Sequence, residues 1–136
     1  MLNQGISVER CTLKEIVLKG CTISLNAFST IMQAIQSNTS MLSLHIESVA
    51  IHAKEATQLA EMLKVNKGLQ GITLLTCGVN GKALAQIASG LKSNRQIKYI
   101  DLRNNSFKDK GPQTLAAVLQ EVGVCQSLML EGIETE

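Results

Sequence analysis

The side chains of this 136-residue chain that offer covalent or metal chemistry are four cysteines, two histidines and one lysine behind a glycine turn. Cys11, Cys21, Cys77 and Cys125 contain no Cys-x-x-Cys pair, the spacing on which zinc and dithiol sites are commonly built. They read as unbonded structural thiols, buried as free cysteine usually is, in a chain that works in a reducing compartment. Gly78-Val79-Asn80-Gly81-Lys82 has the outline of a phosphate loop. Such a loop needs glycine where Thr76 stands and serine or threonine where Ala83 stands. His45 and His52 form no His-Glu-x-x-His motif and have no Cys or Ser at a recognisable catalytic spacing. No nucleophile, cofactor loop or metal set emerges, so the expectation is a non-enzyme with no cofactor and no metal.

The composition narrows the partner classes. With 45% hydrophobic and 18% charged residues the chain should fold, and charge interrupts it too often for a membrane span. A net charge of +2 is too small to announce a nucleic-acid or acidic-membrane surface. The opening MLNQGISVER lacks the basic and apolar stretches of a secretory signal, which points to the cytoplasm. Asn38-Thr39-Ser40 and Asn104-Asn105-Ser106 match the glycosylation sequon and should then stay unmodified. The length is about that of one domain, so residues 1–136 are expected to form a single unit.

A chain with no Trp, one Tyr and two Phe must build its core from many similar aliphatic layers. A repeat of 28 residues supplies them, starting at Leu13, Met41, Leu69, Ile97 and Cys125 (41 − 13, 69 − 41, 97 − 69, 125 − 97). At offsets +3 and +5 every residue is apolar: Ile16 and Leu18, Leu44 and Ile46, Ile72 and Leu74, Ile100 and Leu102, Leu128 and Leu130. A second stripe, Phe28-Ile31-Ala34-Ile35, recurs as Ala56-Leu59-Met62-Leu63, Leu84-Ile87-Gly90-Leu91 and Pro112-Leu115-Val118-Leu119, spacings that put each set on one helical face. Pro112 suits a first helical turn, where its missing N–H costs nothing. Asn38, Asn66 and Asn94 follow three of the helices and are expected in the left-handed conformation that closes a helix. The unit is strand, loop, helix, turn, with complete repeats from 13, 41, 69 and 97, a partial one at 125–136, and residues 1–12 as a cap or the end of an earlier repeat.

The pattern LxxLxLxx(N/C)xL, carried best by IKYIDLRNNSF (97–107) and LKEIVLKGCTI (13–23), resembles leucine-rich repeats of the ribonuclease-inhibitor type. Val49 departs from it, standing where Asn or Cys is usual and breaking the side-chain ladder under the loops. The resemblance implies an α/β solenoid, a short horseshoe arc with about five parallel strands on its concave face and helices on its convex face. It further implies a protein-protein interaction module, such as an inhibitor capping an enzyme. The alternative it leaves open is a sensing or targeting segment of an innate-immune-type receptor or a bacterial effector, the latter in the host cytosol.

Side chains between the core positions of each strand point to the uncovered face, because strands alternate with period two. That face carries Tyr99, Asp101 and Arg103 at its centre, with His45, Glu47, Thr73, Leu75 and Met129 around them. Mixed charge signs with exposed apolar residues and the one Tyr suit recognition of another protein and form no basic stripe for nucleic acid. The chain is expected to be a monomer. Its last strand has one exposed edge, open to self-association and guarded by Glu131, Glu134 and Glu136.

Overall fold

The computed structural model describes residues 13–105, 107 and 111–130, apart from the side chains of residues 111 and 112. The expected cap at 1–12 with Cys11, and the edge charges Glu131, Glu134 and Glu136, lie outside the described residues. Strands and helices alternate: β1 (Glu15–Lys19), α1 (Leu25–Gln36), β2 (Ser43–Glu47), α2 (Ala53–Val65), β3 (Gly71–Leu75), α3 (Gly81–Leu91), β4 (Tyr99–Asp101), α4 (Gly111–Val122) and β5 (Ser127–Met129). The five strands form one parallel sheet in chain order. Each residue pairs with the one 28 positions on, as in Leu44↔Ile72 and Ile72↔Ile100, so the sequence period is the sheet register itself.

Alternation within each strand decides which face is filled. Leu44, Ile46, Ile72, Leu74, Ile100 and Leu102 are at most 3% exposed and join the helix residues Phe28, Leu59, Leu63, Leu84 and Leu91 in one apolar cluster. The helices therefore cover one face of the sheet, and the residues between these core positions face away from them. Serine and asparagine start two of the helices: Ser24 accepts from the Ala27 N–H at 3.1 Å and Asn80 from the Ala83 N–H at 2.8 Å. At the third, the Glu55 carboxylate accepts from the His52 N–H at 3.1 Å, which makes His52 part of a helix start and not of a free loop. Helices α2 and α3 approach so closely that a Cβ on Gly90 would lie 2.6 Å from the Ala60 carbonyl oxygen. Only a residue without a side chain fits there.

Two expectations need correction. Asn38, Asn66 and Asn94 are not left-handed; among the described residues the non-glycine ones with positive φ are Ser48 (57°), Thr76 (55°) and Asn104 (62°), matched by Gly20 (61°) at the same offset of the repeat. The three asparagines are buried instead, and their amides do the work a left-handed turn would have done. Asn66 accepts from the Gly68 and Leu69 N–H groups at 2.9 and 2.7 Å and donates to the carbonyls of Ile35 and Asn38 at 2.7 and 3.0 Å. Asn94 repeats the pattern on Leu63 and Asn66, so each turn is tied to the one before it.

The second correction concerns the thiols. Cys77 is buried, but Cys21 is exposed and Cys125 half-buried, and all three are free. Cys21 belongs to the first described repeat. Among the described residues no helix is long and apolar enough to cross a membrane.

Candidate functional site

The open face of the sheet is organised as rows running across the strands. One row reads Glu15, Ser43, Gly71, Tyr99, Ser127 and the next Val17, His45, Thr73, Asp101, Met129, each residue the register partner of its neighbour. Gly71 interrupts the first row. With no side chain between Ser43 and Tyr99, the face sinks into a trough of about 360 Å³ whose floor is Gly71 and Ile72. Its walls include Leu42, Thr73, Tyr99, Asp101 and Met129. Tyr99, Leu42 and Met129 are 49%, 40% and 39% exposed, which concentrates apolar surface at the rim. The Tyr99 hydroxyl lies 3.4 Å from Gln126 Oε1, steadying the ring beside the opening.

Beside the trough lies a charged flank. Arg103 folds back on Asp101, donating from Nε and Nη2 to the carboxylate at 2.9 and 2.8 Å, while its backbone N–H donates to the same group at 3.1 Å. Burial pushes the Asp101 carboxyl up, but these hydrogen bonds and the guanidinium charge outweigh it and hold the group below its ordinary value. Strand β4 ends at Asp101. Arg103 therefore stands beyond the strand, and its guanidinium is engaged within the chain. On β2, His45 Nε2 lies 3.0 Å from Glu47 Oε1, with Lys19 3.9 Å from the same oxygen. The hydrogen bond with His45 lowers the Glu47 carboxyl, burial opposes it, and the Lys19 charge adds to the lowering.

The eight residues singled out from the sequence thus fall into two sets. Thr73, Tyr99, Asp101 and Met129 line the trough; His45, Glu47, Leu75 and Arg103 do not. Leu42 and Gln70 were missed, and Gly71, on the open face by alternation, was not singled out. Gly71 was legible as a strand residue with no side chain between Ser43 and Tyr99, the one signal for a gap in the face. Leu42 and Gln70 precede their strands, where alternation says nothing about direction. Cys77, the buried thiol, has its pKa pushed up to about 11 by burial and sits on the helix-covered side, donating toward the Ile46 carbonyl at 3.3 Å. Among the described residues no three His, Cys, Asp or Glu side chains converge as a metal site.

No protein-family model matches the chain. Solved structures do. Leiomodin-1 actin-binding site 2 superposes with a TM-score of 0.73 at 20% identity, over 88% of this chain and 69% of that one. The C-terminal domain of Caenorhabditis elegans tropomodulin gives 0.79 at 15% identity, over 90% and 77%. At these identities the match speaks for the fold: mixed α/β, with a five-stranded parallel sheet and four helices. It also corrects the resemblance to the ribonuclease-inhibitor type, because the structures that match are of the tropomodulin and leiomodin kind. The inhibitor capping an enzyme, the innate-immune receptor segment and the bacterial effector, which rested on that resemblance, fall with it. The physical reason is that LxxLxLxx(N/C)xL reports a strand and its turn, the part that any such repeat shares, and says little about subclass.

Proposed function

We propose that this chain is a non-catalytic recognition module that grips a partner protein on the open face of its sheet, taken as the concave side of a short arc. The observation that carries the reading is the Gly71 trough, an apolar recess beside a half-exposed Tyr99 and ringed by polar side chains. A recess flanked by an exposed aromatic is where interface energy concentrates, since a partner side chain enters it and sheds water from both walls. Tyr99, Asp101, Thr73 and Met129 form the contact in this reading. Arg103, His45, Glu47 and Leu75 are its flank, with the Asp101–Arg103 pair a rigid polar edge.

Actin is the first partner to test, because leiomodin-1 actin-binding site 2 shares the fold over most of this chain. The module would act as a cytoplasmic monomer, with residues 1–136 as one unit. Titration of purified actin, monomeric and filamentous, should give saturable binding. Tyr99→Ala should weaken that binding by about 2 kcal/mol, near thirtyfold, while the thermal midpoint stays in place because the ring is half in water. Absence of saturable binding to either form removes actin. Affinity capture with wild-type and Tyr99→Ala baits then tests the face without naming a partner: a stoichiometric protein held equally by both baits contradicts the site.

A further inference from the structure

Charge is spread unevenly over the two edges of the repeat array. At the edge where helices return to strands, Lys64, Lys67, Lys92 and Arg95 are exposed and Lys98 is half-buried. Lys64 and Lys92 are 28 positions apart (92 − 64), as are Lys67 and Arg95 (95 − 67), so each pair takes one place in consecutive repeats. The asparagine bonds hold these turns side by side, Asn94 Nδ2 donating to the Leu63 and Asn66 carbonyls at 2.9 and 3.4 Å. The small net charge of the chain conceals this segregation.

Little within the fold uses these cations. Lys64 lies 3.6 Å from Glu61 in an exposed pair, and no ion pair joins Lys67, Lys92, Arg95 or Lys98 to a described carboxylate. A cation at a helix C-terminus complements the dipole, which accounts for Lys64 and Lys92. Lys67, Arg95 and Lys98 lie beyond the helices and are not explained that way. Among them sits Val65, 47% exposed, where the flanking repeats carry Ser37 and Ser93. An apolar side chain left in water among cations is an unusual feature of one repeat, and the core does not require it.

We propose that this edge of the second and third repeats is a docking strip for an extended acidic segment of a partner protein, with an apolar side chain of that segment resting on Val65. The spacing sets its pattern. These turns lie between packed helices, about 8–10 Å apart, and paired strands, about 4.8 Å apart, and an extended chain advances about 3.3 Å per residue, so carboxylates two or three residues apart match Lys67 and Arg95. Glu121 occupies the place of Ser93 in the next repeat (121 − 93 = 28) and is exposed. It ends the strip with the opposite sign, which favours a short acidic segment over a bilayer or a nucleic-acid strand. The strip is distinct from the sheet face and stands or falls independently of the reading given to that face.

The test uses a fluorescein-labelled Glu-Ser-Leu repeat peptide of about twelve residues, long enough to cross two repeats, and anisotropy at low and physiological salt. Binding should weaken as salt rises. Lys67→Glu with Arg95→Glu should lower affinity by about tenfold or more, whereas Lys54→Glu with Lys82→Glu, exposed at the starts of α2 and α3, makes the same charge change and should stay within about twofold. Val65→Ser should cost about threefold for this peptide and nothing for a Glu-Ser-Ser repeat. All five residues are exposed, so the fold survives each change. Equal losses in both charge-reversed proteins overturn the proposal. So does no binding by the wild type, or tighter binding to phosphatidylserine-containing vesicles or to a single-stranded oligonucleotide of equal charge.

Discussion

The two edges of the repeat array solve the same problem in opposite ways. Where helices return to strands, one residue type recurs at Asn38, Asn66 and Asn94, all nearly inaccessible and the last two bonded to the turn before. Where strands leave for helices, the corresponding residues are Cys21, Val49, Cys77 and Asn105, and only Asn105 makes a full set of bonds, accepting from the Cys77 and Val79 N–H groups and donating to the Leu74 carbonyl at 2.7 Å. In the second repeat the backbone supplies part of the deficit, the Ile51 N–H donating to the Cys77 carbonyl at 2.9 Å. The first edge is fixed by side-chain hydrogen bonds and the second largely by backbone and packing. An edge whose buried residues do the fixing leaves its surface free to vary, and that is the edge on which the cations collect.

The largest effect should follow from breaking the uniform edge. Asn66→Ala strands two carbonyls and two N–H groups in the interior and should cost about 3 kcal/mol or more, read as a lower urea midpoint at unchanged slope. A loss below about 1 kcal/mol would mean that water replaces the amide, and the contrast between the edges would vanish. Asn105→Val, which borrows the solution of Val49, should cost less, about 2 kcal/mol, since the second repeat shows a backbone able to compensate. Equal losses in the two variants would count against that compensation.

Smaller still is the strain at the strand exits. Thr76 holds a φ of 55°, a poor conformation for a β-branched residue, and Thr76→Gly should raise stability by about 1 kcal/mol. An unchanged or lower midpoint would show that the threonine side chain stabilises the turn. The thiols should separate by burial: Cys21 reacts with a thiol reagent in the native protein, and Cys77 only on unfolding. Because the Cys77 pKa is raised from 9.0 to about 11 in the folded state, its contribution is complete below 9.0 and is lost as pH rises through about 11. Asp101 acts at the other end of the scale. Its carboxyl is lowered on folding, so its contribution is present above the ordinary value of 3.8 and fades as pH falls through the lowered one. Thermal melts from pH 5 downward, with and without Asp101→Asn, check the sign: the acid step should be smaller in the variant, which keeps the lowered Glu47 carboxyl.

Strand positions were legible because a period of 28 and an alternation of two leave a single register in which Ile16 and Leu18, Leu44 and Ile46, Ile72 and Leu74 all face inward. Turn chemistry was not. An asparagine after a helix can close it in the left-handed conformation or accept from the N–H groups two and three residues on, and residue type alone does not choose between them. The helix stripe was approximate as well. In α1 it is Met32, with Phe28 and Ile35, that is buried, and Ile31 is only partly so. The pairing of Arg103 with Asp101 was not legible in the pattern. What decided it was that β4 ends at Asp101, a length the pattern does not encode.

The most direct test of the recognition surface is to fill the trough and leave the rest alone. A Cβ at Gly71 would meet Tyr99 no closer than 3.8 Å, an ordinary contact, so Gly71→Val fits the strand while occupying the recess. Binding isotherms of wild type and Gly71→Val against actin, or against the partner recovered by affinity capture, read the answer. A fall in affinity of about tenfold or more at an unchanged thermal midpoint is the expected result. Wild-type affinity in a folded Gly71→Val protein would contradict recognition through the open face.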